Sequence, residues 1–204
     1  MKTIIPPVTG QVLFILLVLC IGACAKPYHL NVKYDIPENQ MDLPGNSIAV
    51  KIIDARENSA IFSEKAQKEF DRWDGTFVLV GPETVPGSAV ETSDLPDLFK
   101  KALKKRLGTM NIDVVDEETN AVPTLELTLE KFLLELKDRT WISDFSYEAK
   151  LSKDGSKTGR ERISAQAERT KVMGKAGGEK LIGEIFTEGI NKLNLNKLFE
   201  NAGF

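Results

Sequence analysis

Few side chains in this sequence can do chemistry, so each can be weighed. Cysteine occurs twice, at Cys20 and Cys24, and histidine once, at His29. That inventory leaves no zinc-ligand cluster and no Cys-x-x-Cys redox pair. His29 has no second imidazole and no Ser or Cys nucleophile beside it, so it is a poor base or ligand. Lys157-Thr158-Gly159 matches one element of penicillin-binding enzymes. That element works only beside S-x-x-K and S-D-N elements, which the chain lacks, so it reads as the flank of a hairpin. Gly174-Lys175-Ala176-Gly177-Gly178 lacks both phosphate-loop spacings and reads as a tight strand-to-helix connection. Asp54 and Arg56 lie two apart, on one face of an extended strand. They can form a pair for a polar ligand, or close on each other and on loop backbone. Acidic residues are many, but no spacing isolates a general acid–base pair. The expectation is a protein that is not an enzyme, with no cofactor and no metal.

Charge adds one candidate surface. Lys and Arg number 27 against 30 Asp and Glu, a net charge of −3, so no overall basic field points to nucleic acid. Locally, Lys100, Lys101, Lys104, Lys105 and Arg106 cluster on the polar side of one predicted helix. Such a group can dock on anionic lipid headgroups or an acidic partner, or can simply be a solvated helix face.

The N-terminus differs from the rest. Lys2 is the only charge before Lys26, and Val12 to Ile21 is an unbroken apolar run. Carried to Ala25 it reaches 14 residues, short of the roughly 20 needed to span a bilayer. A basic start, a short apolar run and small residues at its end describe a secretory signal peptide over 1–23. Its end, Ile21-Gly22-Ala23-Cys24, resembles the lipobox of bacterial lipoproteins. Cys20 competes, but Leu19 stands where that motif wants a small residue. The alternative is an ordinary apolar Cys24 in an uncleaved helix. The resemblance implies cleavage between Ala23 and Cys24, a thioether-linked diacylglycerol on Cys24 and an N-acyl chain. It also implies an anchored body that does not span the membrane. Ala25, where Asp commonly retains such proteins in the inner membrane, implies the outer membrane with the body facing the periplasm.

Patterning divides the remainder into a lipidated tether over 24–45, holding one short strand, and a single domain over 46–204. Leu30, Val32, Tyr34 and Ile36 alternate with polar residues, the period of a half-buried strand. Ser47 to Asp54 is an apolar, β-branched run of strand length. Phe62, Ala66, Phe70 and Trp73 recur at helical spacing, and Phe77 to Val80 is a short strand. Gly81 to Ser93 reads as an exposed loop. Leu95, Leu98, Phe99, Ala102, Leu103 and Leu107 form one apolar stripe, capped by Ser93 or Asp94 and ended near Gly108. Ile112 to Val115 is a strand. Leu125, Leu127 and Leu129 alternate, then the phase slips to Phe132, Leu134 and Leu136, which predicts a β-bulge near Glu130 and Lys131. Phe145 to Leu151 and Ile163 to Ala167 continue the meander through an Asp154-Gly155 turn. A second stripe runs from Leu181 to Leu193, and Asn194 to Phe204 reads as a polar tail with a turn near Leu198 and Phe199. Each element has one apolar side. The economical packing is α+β: a mainly antiparallel sheet with a β-meander and two amphipathic helices on one face.

In order and pattern the mature chain resembles the YajG-like lipoproteins of proteobacteria. The residues that carry the resemblance are Cys24-Ala25-Lys26-Pro27, the strand Leu30 to Pro37, and Ile48 to Arg56. The helix and strand from Leu95 to Val115 and the meander into the last helix complete it. The resemblance implies location and fold class and brings no catalytic residues. Two functions follow as expectations. One is a membrane-anchored, non-enzymatic module that binds or scaffolds an envelope partner. The other is an accessory lipoprotein of a lipid or lipopolysaccharide transport or assembly machine. An apolar cavity between helices and sheet favours the second, and a solid core favours the first.

Overall fold

A computed structural model describes residues 28–37, 42, 46–81, 91–115, 122–153 and 157–203. The signal segment 1–23, Cys24 and the Asp154-Gly155 turn lie outside the described residues. Among the described residues the elements run β1 (Tyr28–Lys33), β2 (Asn46–Asp54), α1 (Glu64–Gln67), β3 (Trp73–Val80) and β4 (Thr92–Ser93). They continue with α2 (Leu95–Gly108), β5 (Ile112–Val115), β6 (Thr124–Lys137), β7 (Thr140–Lys153), β8 (Lys157–Thr170), α3 (Ala176–Lys192) and α4 (Leu195–Ala202). A 3₁₀ turn, Lys68–Phe70, follows α1.

The fold is α+β, and its sheet is mostly antiparallel. Five strands in the order β5-β2-β6-β7-β8 form the main sheet. The meander β6-β7-β8 is antiparallel over long registers, while β2 pairs with both β5 and β6 in parallel. Alternation dictates which side is buried. Along β7, Trp141, Ser143, Phe145, Tyr147, Ala149 and Leu151 point inward, and the residues that alternate with them face out. Both α2 and α3 lie on that inner face. Phe99 of α2 stacks on Phe145, and Tyr147 Oη donates to Gly189 O of α3 at 3.0 Å. The bulge falls where the phase slip predicts it: the β6–β7 register shifts between Leu129 and Lys131.

Four features depart from the sequence expectation. A second sheet, β1-β3-β4, exists, with β1 and β3 parallel. The strand expected in a tether is therefore built into the fold, with Leu30, Val32 and Tyr34 buried in the common core. Trp73 lies on β3 rather than on a helix, because the helical segment stops at Phe70. The C-terminal segment is not a polar tail. It is α4, which buries Leu195, Leu198, Phe199 and Ala202 against β8, with Asn194 as its N-cap and Gly203 in the left-handed region at its end. Arg106, counted with the cationic face, is buried.

Two glycines permit close approach. A Cβ on Gly159 would lie 2.6 Å from Leu198 O, so β8 can seat α4 only without a side chain there. A Cβ on Gly189 would run into the Phe145 ring, whereas Gly108 has nothing within 4 Å. Gly189→Ala should therefore cost about 1–3 kcal/mol in urea unfolding, through overpacking. Gly108→Ala, made in the same way, should raise stability by up to about 1 kcal/mol through helix propensity. Equal effects of the two changes would mean that the α3–β7 contact is looser than described.

Candidate functional site

The Asp54–Arg56 step lies where the main sheet is interrupted. β2 ends at Asp54, and its partner strand β6 bulges at the same level. Ala55 N still donates to Leu129 O at 2.9 Å. The chain then loops outward and rejoins β6 only at Phe62, which bridges Leu134. Between those two points a cleft of about 450 Å³ opens, lined by Ala55–Asn58, Ala60 and Glu130–Leu133. Bulges commonly mark places where a strand stops pairing and re-aims its side chains.

Arg56 closes on Asp54 in a two-pronged pair. Nε donates to Oδ1 and Nη2 to Oδ2, both at 2.8 Å. The hydrogen bond from Arg56 holds the Asp54 carboxyl below the usual carboxylate range. The guanidinium side chain is 5% exposed, and its buried Nη1 has no hydrogen-bond partner among the described residues. Arg56 is among the residues that line the cleft, and a guanidinium suits a carbonyl or carboxylate partner. Glu130 and Lys131 at its border are engaged on the outer face of the sheet, with Arg162 and Asp144.

A second depression, about 600 Å³, runs between the edge strand β1 and α3. Asn31, Lys33 and Asp35 line it from the strand, and Gly183, Glu184 and Thr187 from the helix. Part of the β1 edge is already occupied. Thr187 Oγ1 donates to Lys33 O and Asn191 Nδ2 to Asp35 O, each at 2.9 Å. Helix side chains thus take the place of a neighbouring strand.

The cationic face is divided. Lys101 Nζ is held by Ser93 Oγ at 2.6 Å, Asp97 at 2.9 Å and Glu91 at 3.1 Å. Lys104 is exposed, and Lys100 and Lys105 are half-buried. His29 sits on β1, with Nδ1 2.7 Å from Asp74 and 2.8 Å from Thr76 Oγ1. Lys157-Thr158-Gly159 begins β8, where Gly159 meets α4. Among the described residues no group of three or more His, Cys, Asp or Glu could hold a metal ion, and no helix is long and apolar enough to cross a membrane.

No family model matches the sequence, and no curated protein matches it. Solved structures do. Protein XCC0632 from Xanthomonas campestris, of family DUF330, aligns with a TM-score of 0.51 at 10% identity, over 79% of this chain and 90% of that one. This chain shares its fold. Rare lipoprotein B from Shewanella oneidensis aligns at a TM-score of 0.37 and 14% identity, over 71% of this chain and 89% of that one. Lipoprotein GNA1162 from Neisseria meningitidis aligns at 0.28 and 12%, over 72% and 99%. These two overlays are too loose to carry an argument. None of the three is named as YajG-like or as an enzyme.

The Asp54–Arg56 pair has a pH signature. A carboxyl whose folded-state pKa is depressed adds stability that is present above its unfolded value and is lost as pH falls through the folded one. Arg56→Gln should therefore lower Tm at neutral pH, and its gap to the parent should narrow below about pH 4. A gap that stays constant from neutral pH into acid would show that the pair contributes no charge-dependent stability.

Proposed function

We propose that this protein is a membrane-anchored bacterial lipoprotein of the YajG-like kind. In this reading it faces the periplasm from the outer membrane and binds or scaffolds an envelope partner without catalysing a reaction. The observation that carries this reading is the spacing between Cys24 and the fold. Tyr28 opens β1 only four residues after Cys24, and Leu30 is already in the core. Acyl chains on that sulfur would hold the whole domain against a bilayer, since one chain binds marginally and several bind in effect permanently.

The filled core supports binding or scaffolding over lipid carriage. Phe99, Phe132, Phe145, Tyr147 and Phe186 are in mutual ring contact between helices and sheet. A carrier of acyl chains would need that volume open. The cleft at Arg56 and the β1–α3 depression are the surfaces offered to a partner. Of the Lys100, Lys101, Lys104 and Lys105 face, Lys104 is the side chain most open to an acidic partner.

Cys24→Ser should abolish incorporation of radioactive palmitate in growing cells. Persistent labelling would move the acceptor to another residue. Ala25→Asp should shift the protein from outer- to inner-membrane fractions on a sucrose gradient. An unchanged distribution would remove the sorting argument.

A further inference from the structure

Among the described residues the exposed large apolar side chains are Val172 and Met173, at 86% and 85%. Single exposed apolar residues are ordinary; here their place in the fold matters. They form the loop between β8 and α3. Two positions on, Lys175 Nζ sits 2.9 Å from the centre of the Tyr28 ring. Lys171 N donates to Arg139 O in the β6–β7 turn at 2.7 Å, and Tyr28 N donates to Arg72 O at 3.1 Å. The apolar loop and the start of β1 therefore share one end of the molecule.

Chain length fixes what else is at that end. Four residues, even fully extended, reach about 14 Å. The backbone of Cys24, the root of any lipid there, is thus held within that distance of Tyr28, and Tyr28 touches the loop through Lys175. Arg72 and Arg139, whose carbonyls accept from Tyr28 N and Lys171 N, are exposed, as are Asp71 and Asp138 next to them. Lys171 and Lys175 flank the apolar pair and also meet Glu69 and Glu179. An apolar tip flanked by lysines suits a bilayer interface: the tip enters the headgroup–acyl boundary and the lysines stay with the phosphates. Lys104 and Lys105 stand elsewhere. Their neighbour Arg106 binds the last carbonyls of α3, about 25 Å along that helix from its start.

We infer that the Val172–Met173 loop dips into the same bilayer that carries the Cys24 acyl chains, so that the domain is fixed at two points. In that pose the C-terminal end of α3 points away from the membrane. The inference rests on the lipoprotein reading of Cys24.

The test uses the full chain, expressed with its leader, carrying Met173→Cys and, separately, Val172→Cys or Lys104→Cys. The diacylglyceryl thioether occupies the Cys24 sulfur and Cys20 leaves with the leader, so the added thiol takes an environment-sensitive fluorophore. The protein is reconstituted in vesicles of phosphatidylethanolamine and phosphatidylglycerol, with and without spin-labelled lipid. A label at 172 or 173 should emit to the blue and lose most of its emission to the lipid quencher, and a label at 104 should do neither. Labels at 172 and 173 as water-exposed as the one at 104, on protein whose N-terminal peptide mass shows acylated Cys24, would overturn the inference alone. A blue shift without lipid quenching would also overturn it, assigning the loop to a second copy or another protein. An unacylated N-terminal peptide would overturn the anchor reading and this inference with it.

Discussion

The packing of this protein turns on one buried cation. An α-helix ends with four carbonyls that have no partner inside the helix, and at the end of α3 the carbonyls of Gly189, Ile190 and the following Leu193 make buried contacts. Arg106, from the last turn of α2, supplies the missing donors. Its Nη1 donates to Ile190 O at 2.5 Å and its Nη2 to Leu193 O at 2.8 Å. A positive charge at a helix C-terminus also meets the negative end of its dipole. Two phenols complete the arrangement: Tyr147 binds Gly189 O, and Tyr34 binds Asn191 Oδ1 at 3.2 Å. Burial pushes both phenols above their ordinary value, so they remain neutral donors beside the guanidinium. Hydrogen bonds to charged groups contribute about 1.5–3 kcal/mol each, and leaving buried carbonyls unpaired would cost a comparable amount. Both helices, the main sheet through Tyr147 and the chain just after β1 through Tyr34 thus meet around one side chain.

That convergence ties the beginning of the chain to its end. Tyr34 follows β1, and its ring packs edge-on against Phe186. From there Thr187 and Asn191 hold the backbone of residues 33 and 35. A pull on β1 is therefore carried into α3 directly, through helix side chains. If the domain is tethered as proposed, the orientation of α3 follows from where β1 begins.

Much of this was legible locally, and the misses have physical causes. Period-2 and period-3.6 patterns show the long strands and both amphipathic helices because each buries one side. The slip from Leu129 to Phe132 shows the bulge because a strand buried on one face cannot change phase otherwise. The second sheet was hidden, since β1 and β3 pair across more than forty residues, and pairing partners of that kind leave no local trace. Arg106 reads by residue type as part of the cationic face, yet it is buried. Its position, four after Ala102 and three after Leu103, falls within the apolar stripe, and that spacing was the available signal. The last helix was missed although Leu195, Leu198, Phe199 and Ala202 recur at helical spacing behind Asn194; the intervening polar residues masked it. Trp73 misled in the other direction, because its spacing from Phe70 fits a helix, whereas it packs against Phe62 and Phe77 from a strand.

The cleft at Arg56 was half legible. The Asp54-x-Arg56 spacing marks a pair on one strand face, and the phase slip marks a bulge. That the two coincide depends on the parallel register that sets Asp54 beside Leu129. The coincidence explains the unpaired Nη1. β2 stops where β6 bends, the loop over 56–60 leaves the sheet, and the guanidinium turns back to Asp54 with one nitrogen unanswered. A sheet continued without the bulge would carry a strand across this gap. The same irregularity that ends the ladder therefore makes a recess, lined by Arg56, on the side of the body where β2 stops.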